Sequence, residues 1–341
     1  MTMPGSPQLS ICIPTYRRGA KAKRTATLFA RQIIEAKLES SVEIFIGDNA
    51  SPDDTGELIK SVMQEFPQVQ VRYQRHPVNL GGCQNMLTLF CTALGDYVWL
   101  FSDDDVPFPG SVGRVSATLK EYAPAVLLFS FIQPPGSTKR LFDFPEKVHL
   151  ARTPSEMVKL LRQDSKMSSH VYRRMALTEE ARRQATALLQ ECPLFGYWTL
   201  PLHVLAANPE LPMAIVSEPL AGCDEDFVEC LNWDAPDWKA EARVFEHPYV
   251  KEGAPEIYRD REWWSYVMAF QFFWMWRIGE LGIAERMEPQ WWEALGRYPI
   301  RWRWALPRVG MLARLIALKA WPARLPRMLA GIARYIRGGG T

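Results

Sequence analysis

Tyr97-Val98-Trp99-Leu100-Phe101-Ser102-Asp103-Asp104-Asp105 is the stretch that decides the fold. Five largely apolar residues run directly into three consecutive carboxylates. An apolar run closed by a polar turn reads as a buried strand. Three adjacent anions at its exit repel one another unless a cation is near. Hard oxygen donors grouped in this way suit Mg²⁺ or Mn²⁺, and Mg²⁺ in turn commonly holds substrate phosphates. The alternative is a solvated acidic turn, and the rest of the N-terminal half discriminates between the two.

Upstream, Leu9 to Ile13 form a short apolar strand that ends at Pro14, which has no N–H to donate to a ladder. Ala22, Ala26, Phe29, Ile33 and Ala36 then recur on one helical face. Val42 to Ile46 read as a second strand, and Asp53 or Asp54 as the cap of a helix carrying Leu58, Ile59, Val62, Met63 and Phe66. Val69 to Tyr73 give a third strand. Asn79-Leu80-Gly81-Gly82 turns into a helix bearing Met86, Leu87 and Phe90. The strand ending at Ser102 is the fourth, and Ala125 to Phe131 the fifth. Strands alternating with helices over short connections predict a doubly wound, mostly parallel α/β sheet. Ligands of such sheets bind beyond the carboxyl ends of the strands. Pro14-Thr15-Tyr16, Asp48-Asn49 and Asp103-Asp104-Asp105 all fall at those ends, so three polar clusters converge on one crevice.

Four motifs in this order resemble the family 2 glycosyltransferases of GT-A fold: Ser10-Ile-Cys-Ile-Pro-Thr-Tyr, Asp48-Asn-Ala-Ser-Pro-Asp-Asp-Thr, Asn79-Leu-Gly-Gly, and Phe101-Ser-Asp-Asp-Asp with Pro109. They are most similar to the abequosyltransferase-like bacterial branch that builds O-antigen and other polysaccharides. The resemblance is close over residues 8–132, thins to echoes over 165–222, and is absent from the last third. It implies a nucleotide-diphosphate sugar donor, a divalent cation (Mn²⁺ or Mg²⁺) and inversion at the anomeric carbon.

By that resemblance Pro14, Thr15, Tyr16 and Arg18 line the nucleotide pocket, with Asp48 bonded to the base and Asn49 and Ser51 beside it. Asn79, Gly81, Gly82 and Asn85 complete it, the glycines letting backbone approach the ligand closely. Asp103, with Asp104, belongs to the diphosphate end, and Asp103 and Asp105 fit the family's metal-binding DxD. His203 could complete the metal shell, as could His170 or His247. Relatives write Asp-x-Asp-Asp, three residues, then proline. Counting back from Pro109 puts Ser102 at the first of those acids, so the identity of the metal pair among Asp103, Asp104 and Asp105 stays open. A carboxylate must also deprotonate the acceptor hydroxyl. Where relatives carry an acidic pair, this chain has Glu191 followed by Cys192, Pro193 and aromatic residues. Glu191, Asp224 and Asp226 are the candidates for that base. Lys166 to Arg174 echo a family strand near the donor sugar, or read as an ordinary edge strand with basic flanks.

At 341 residues and 48% hydrophobic, the chain can bury a large core. Six scattered cysteines without a CxxC pair read as reduced thiols of a cytosolic protein, and no signal sequence is evident at the N-terminus. The net charge of +2 hides an asymmetry. Residues 294–341 hold ten Arg or Lys and no acid, so 40 less these ten leaves 30 basic against 38 acidic residues in the rest. Trp302, Trp304, Leu312, Leu315, Ile316, Trp321 and Ile332 accompany those charges. A basic segment of this kind reads as a peripheral element on an anionic membrane surface rather than a span, since Pro307, Pro322 and Pro326 break it. Trp263 to Trp276, uncharged over 14 residues, is also too short to span.

The expected organisation is a GT-A domain over 1–235 (nucleotide part 8–132, acceptor part 133–235), an aromatic-rich helical extension over 236–293, and the basic tail over 294–341. The expected protein is a glycosyltransferase on the inner face of the cell membrane. It acts on a lipid-linked or polymeric acceptor, binds no nucleic acid and could form homo-oligomers. The rivals are a nucleotidyltransferase and a non-catalytic sugar-nucleotide binder. Pro14-Thr15-Tyr16, where a nucleotidyltransferase has a Gly-rich loop, disfavours the first.

Overall fold

The computed structural model describes residues 6–133, 136–138, 140, 142–161, 166–174, 179–180, 183–184, 186–187, 199–224 and 247–258. Glu191, Asp226, residues 263–276 and the basic tail lie outside the described residues. The chain divides into two units, Met1–Asn232 and Trp233–Thr341.

The first unit is built on a nine-stranded mixed sheet. Its strands are β1 (Leu9–Thr15), β2 (Val42–Asp48), β3 (Gln70–Arg75), β4 (Tyr97–Leu100), β5 (Asp105–Pro107), β6 (Val126–Ile132), β7 (Val148–Ala151), β8 (His170–Arg173) and β9 (Met213–Cys223). The order is β3-β2-β1-β4-β8-β6-β9-β5, with β7 paired to β9. The run β3-β2-β1-β4 is parallel throughout, as strand–helix alternation predicts. Beyond it β8 is antiparallel to both β4 and β6, whereas β9 is parallel to β6.

β8 corrects the edge-strand reading of Lys166–Arg174. It lies in the middle of the sheet, with Val171 and Tyr172 fully buried. Its basic flanks serve the strand ends: Arg174 donates to Gly95 O at 2.7 Å, and the Arg173 guanidinium stands 6.0 Å from the Tyr97 ring centre. Sequence periodicity missed β5 and β7 because strands of three and four residues carry almost no alternation signal.

The helices of this unit are α1 (Gly19–Glu35), α2 (Thr55–Glu65), α3 (Gly82–Thr92), α4 (Ser111–Tyr122), α5 (Pro154–Leu161) and α6 (Leu200–Ala206). Ala22, Ala26, Phe29 and Ile33 of α1 are fully buried, as their spacing requires, whereas Ala36 is the exposed C-cap. Asp54 is the N-cap of α2, but Asp53 supplies the side-chain bond, accepting from Thr55 N at 3.2 Å. The apolar stripes of α1, α2 and α4 share one core with Leu9, Ile11 and Ile13 of β1, Trp99 of β4 and Phe129 of β6. Trp99 meets Phe29, Phe101 and Phe129 edge-on at 5.3, 5.4 and 5.5 Å. Emptying the centre of such a cluster, as in Phe29→Ala, costs about 3–5 kcal/mol. Helix α3 packs on β1, β2 and β4 from the other face. A Cβ on Gly47 would meet Asn85 Oδ1 at 2.7 Å and Leu89 at 2.8 Å, so β2 admits only glycine where α3 crosses it. In the second unit, the described residues form α7 (Pro248–Lys251) and α8 (Pro255–Tyr258).

Candidate active site

Strand register brings the polar clusters together. Thr15 pairs with Asp48 across β1 and β2, and Cys12 pairs with Leu100 across β1 and β4. Three residues further along both chains, Thr15 therefore stands level with Asp103. Thr15 Oγ1 donates to Asp103 Oδ2 at 2.7 Å, and Asp48, Thr15 and Asp103 make one row across the ends of three parallel strands.

Arg18 completes this row from the N-cap of α1. Its Nη1 lies 2.9 Å from both Asp103 Oδ1 and Asp104 Oδ2. Ser102 Oγ donates to Asp104 Oδ1, so the serine at the departed acid position supports the neighbouring carboxylate. Asp105 turns elsewhere, accepting from Ser168 Oγ at 2.5 Å. Ser168 also accepts from Ser102 N at 2.9 Å, and its carbonyl receives Trp99 Nε1 at 2.7 Å. From α1, Thr25 Oγ1 donates to the main-chain oxygens of Asp103 at 3.2 Å and Asp105 at 3.5 Å. The acidic turn is thus held by hydroxyls from α1 and from the turn before β8.

Burial dominates the electrostatics. It pushes the Asp103 carboxyl up to about 6 even against Arg18, and Asp105 up to about 7 with help from the neighbouring Asp104 charge. Two buried carboxyls raised this far mark a place that calls for another positive charge. The donor set fits a divalent cation: hard carboxylate oxygens, two of which already converge on the single cationic atom Arg18 Nη1. Among the described residues no three His, Cys, Asp or Glu side chains are grouped to hold a metal. His203 is buried on α6, which packs on β6 and β8, and burial lowers its imidazole to about 4. His170 is lowered by burial to about 3, and its Nδ1 lies 3.1 Å from Tyr172 Oη. His247 caps α7 in the second unit, accepting from Tyr249 N at 3.2 Å.

The β2–α2 loop forms the neighbouring wall. Asp48 is 1% exposed and works within the protein: Oδ1 accepts from Ser51 N at 2.8 Å, and Oδ2 accepts from Tyr73 Oη at 2.6 Å with Arg75 Nε at 3.6 Å. Burial, and after it that partnership with Asp48, raise the Tyr73 phenol well above its ordinary value. Ser51 Oγ accepts from Arg17 N at 2.9 Å and so joins the β1–α1 loop to this wall. Both loops contain a non-glycine residue at positive φ, Arg17 at 57° and Ala50 at 63°, a strain that clusters where backbone geometry serves a site. Asn49 Nδ2 donates to Asn79 Oδ1 at 2.8 Å and its Oδ1 accepts from Leu80 N at 2.8 Å, which positions the Asn79-Leu80-Gly81-Gly82 turn. Gly81, at φ 83°, has the left-handed backbone that glycine adopts freely. Asn85 is buried beneath, donating to Gly47 O at 2.8 Å and meeting His76 Nε2 at 3.0 Å. Tyr16, Arg18, Asn79, Gly81 and Gly82 are the exposed members of the expected nucleotide set, whereas Pro14 is half-buried.

Asp224 is the candidate base that lies among the described residues. Antiparallel pairing of Asp105 with Cys223 sets it one residue beyond the acidic turn's own partner. Arg24 of α1 donates to Asp224 through Nη1. Thr25 and Arg24 were missed in the sequence, although Thr25 left a trace as a hydroxyl within the Ala22–Ala26–Phe29 stripe, and Ser168 lay within the Lys166–Arg174 stretch without being singled out.

The family model described as glycosyl transferase family 2 matches residues 10–176, which run from β1 past β8 and include the β1, β2 and acidic-turn motifs but not His203, Asp224 or His247. These residues belong to glycosyl transferase family 2. Abequosyltransferase RfbV of Salmonella typhimurium is 35% identical over 115 residues. That match spans 34% of this chain and about a third of RfbV, 33%. Among solved structures, Staphylococcus aureus TarS 1–349 in complex with UDP-GlcNAc superposes with a TM-score of 0.61 at 15% identity, covering 92% of this chain and 90% of that one. TarS 1–349 in complex with UDP gives 0.52 at 16% identity, covering 97% and 89%. These likenesses show the fold, the GT-A α/β arrangement expected of the family 2 domain. Among the described residues no helix is long and apolar enough to cross a membrane. Among the described residues no disulfide links Cys12, Cys83, Cys91 and Cys223 to one another.

Proposed function

We propose that this protein is a metal-dependent, inverting glycosyltransferase that moves a sugar from a nucleotide-diphosphate sugar to a lipid-linked or polysaccharide acceptor in surface-polysaccharide synthesis. The observation that carries the reading is the convergence of Thr15, Arg18, Asp103 and Asp104 at the carboxyl ends of β1 and β4, with Asp224 at the end of β9. The 35% likeness to an abequosyltransferase supports the reaction class. The TarS complexes support a nucleotide-sugar donor, since that protein holds UDP-GlcNAc or UDP in the same fold.

In this reading Asp103 and Asp104 hold the divalent cation, Mn²⁺ or Mg²⁺, while Thr15 and Ser102 orient their carboxylates. When bound, the cation supplies Lewis-acid stabilisation of the charge that builds on the departing nucleoside diphosphate. Thr25 and Ser168 fix the turn so that this donor geometry costs no reorganisation during the reaction. Tyr16, Asn79, Gly81 and Gly82 border the nucleoside. Asp48 orders the wall behind it and has acceptor capacity left for a base N–H. Asp224, oriented by Arg24, takes the proton of the acceptor hydroxyl; Glu191 and Asp226 are the alternative bases. The basic tail over 294–341 brings the enzyme to an anionic membrane surface, where a lipid-linked acceptor is found.

Single-turnover incubation of the full chain with a panel of sugar nucleotides and Mn²⁺ tests the activity. Release of the nucleoside diphosphate with one donor, abolished by chelator, is expected. Binding without turnover for every donor would leave only a sugar-nucleotide binder. Deleting residues from Arg301 onward is expected to release the protein from anionic vesicles at low salt while sparing donor binding. Full-length protein that stays in the supernatant removes the membrane role.

A further inference from the structure

One guanidinium occupies the point where two of the three aspartates converge. Arg18 Nη1 is 2.9 Å from Asp103 Oδ1 and 2.9 Å from Asp104 Oδ2. Asp105 does not share in this, since its carboxylate is turned to Ser168. Building on the transferase reading above, we infer that Arg18 is a built-in counter-ion which occupies the cation position in the donor-free protein. It yields that position to the metal only when a diphosphate arrives to receive its guanidinium.

Three observations carry this. Arg18 Nη1 already occupies Asp103 Oδ1 and Asp104 Oδ2, so a divalent cation drawn to those two carboxylates would meet a cation already there, and like charges repel. The Arg18 side chain is 42% exposed, so its far end has room to leave. It springs from the N-cap of α1, whose first turn contains no acidic residue and no side-chain cap, so a diphosphate arriving there would meet a helix N-terminus beside a fork of donors shaped for phosphate oxygens. Arg18 therefore opposes metal binding without donor and favours it with donor. The two ligands become coupled, and each raises the affinity for the other by the same factor. A site arranged in this way leaves Asp103 and Asp104 partly compensated between turnovers without retaining a metal ion.

The test is calorimetric titration of Mn²⁺ into the full chain, alone and with saturating UDP, CDP, GDP or dTDP, for wild type, Arg18→Met and Arg18→Lys. In the wild type, one of the nucleotides is expected to raise Mn²⁺ affinity at least tenfold. Arg18→Met is expected to bind Mn²⁺ alone at least tenfold more tightly than wild type and to lose most of the coupling. Arg18→Lys keeps the charge and is expected to stay within about threefold of wild type for Mn²⁺ alone, which separates charge from a structural effect. Equal or weaker Mn²⁺ binding by Arg18→Met, or a wild type whose Mn²⁺ affinity no nucleotide changes, overturns the inference. If both proteins bind Mn²⁺ with a nucleotide but do not differ for Mn²⁺ alone, only the role of Arg18 fails. If neither protein binds Mn²⁺ under any condition, the metal-dependent transferase reading fails with it.

Discussion

The two ends of β1 each meet buried carboxylates, and they are furnished in opposite ways. At the N-terminal end Glu43 is fully buried, accepts from Ser10 Oγ and from Leu94 N at 2.8 Å, and lies 3.1 Å from Arg72 Nε. Gly95 N donates to Ser10 Oγ at 2.7 Å, and the Arg72 guanidinium lies 3.8 Å from the Phe45 ring centre. Donors from β1, β3 and the β4 approach hold that charge in place. At the C-terminal end Asp103 and Asp105 are almost as deeply buried, at 3% and 8% exposure, yet both carboxyls are pushed up toward neutrality. Oε1 of Glu43 takes both hydrogen bonds and Oε2 has the Arg72 ion pair, which makes this carboxylate a structural joint between strands. Carboxyls that burial raises toward neutrality even beside Arg18 and Thr15 are instead the mark of a candidate ligand site.

Exchanging the two ends makes the largest prediction. Glu43→Ala leaves Arg72, Ser10 and Leu94 N without their acceptor and is expected to cost about 3–5 kcal/mol in denaturant unfolding, as breaking buried pairs does. Asp103→Ala is expected to lower kcat/KM by roughly 10²–10³-fold while the unfolding midpoint stays near or above wild type. A collapsed fold for Asp103→Ala, or an unaffected one for Glu43→Ala, would break the comparison.

The proton-transfer role gives the next effect. Asp224→Asn keeps size and removes basicity, and it is expected to lower kcat about 10²-fold or more. Glu191→Gln and Asp226→Asn measured beside it decide among the three candidates. Arg24→Ala is expected to show a smaller loss, with a displaced pH profile, because it acts through Asp224.

Asp48→Ala sharpens the contrast between wall and turn. Its carboxylate orders Ser51, Tyr73 and Arg75, and in the proposed reading this wall borders the base rather than the sugar, so donor KM should rise about tenfold with kcat little changed. A collapsed kcat at unchanged KM would move Asp48 into the chemistry.

Acid–base titration of stability separates the buried groups by sign. Asp103 and Asp105 hold protons more tightly folded than unfolded, so metal-free protein is expected to lose stability as pH rises from about 4 through about 7. Asp105→Asn should flatten that loss. His170 is the reverse: burial lowers it to about 3, the unfolded chain takes up the proton first, and stability falls as pH drops below about 6.5. Its slope reaches at most about 1.4 kcal/mol per pH unit, and His170→Gln should remove it. Unfolding midpoints measured by denaturant across this range check both signs.

Much of this was legible locally. Strands β1, β2, β4 and β6 announce themselves as apolar runs, and Pro14, Asp48 and Asp103 punctuate their ends. Parallel register then follows from alternation, which is why Thr15, Asp48 and Asp103 fall in one row. The supports of the acidic turn were not legible. Ser168 reaches Asp105 across 63 residues and Arg24 reaches Asp224 across 200, and no spacing rule connects such pairs. The central position of β8 was hidden for the same reason: four residues flanked by arginine look like an edge until the antiparallel partners on both sides are known. Asn85 sits at the head of α3 among candidate ligand residues, and only its bond to Gly47 O reveals its work beneath the loop.

The central claim is that the row at the ends of β1, β2 and β4 receives a nucleotide-diphosphate sugar with a divalent cation on the acidic turn. Thermal unfolding of the full chain with a panel of nucleotide sugars, with Mn²⁺ or with chelator, tests it most directly when wild type and Asp103→Asn are compared. One donor with Mn²⁺ is predicted to stabilise the wild type by about 2.7 kcal/mol at a hundredfold excess over its Kd, with little effect in chelator or on Asp103→Asn. A panel that leaves the wild type unmoved, or moves Asp103→Asn equally, would contradict the account.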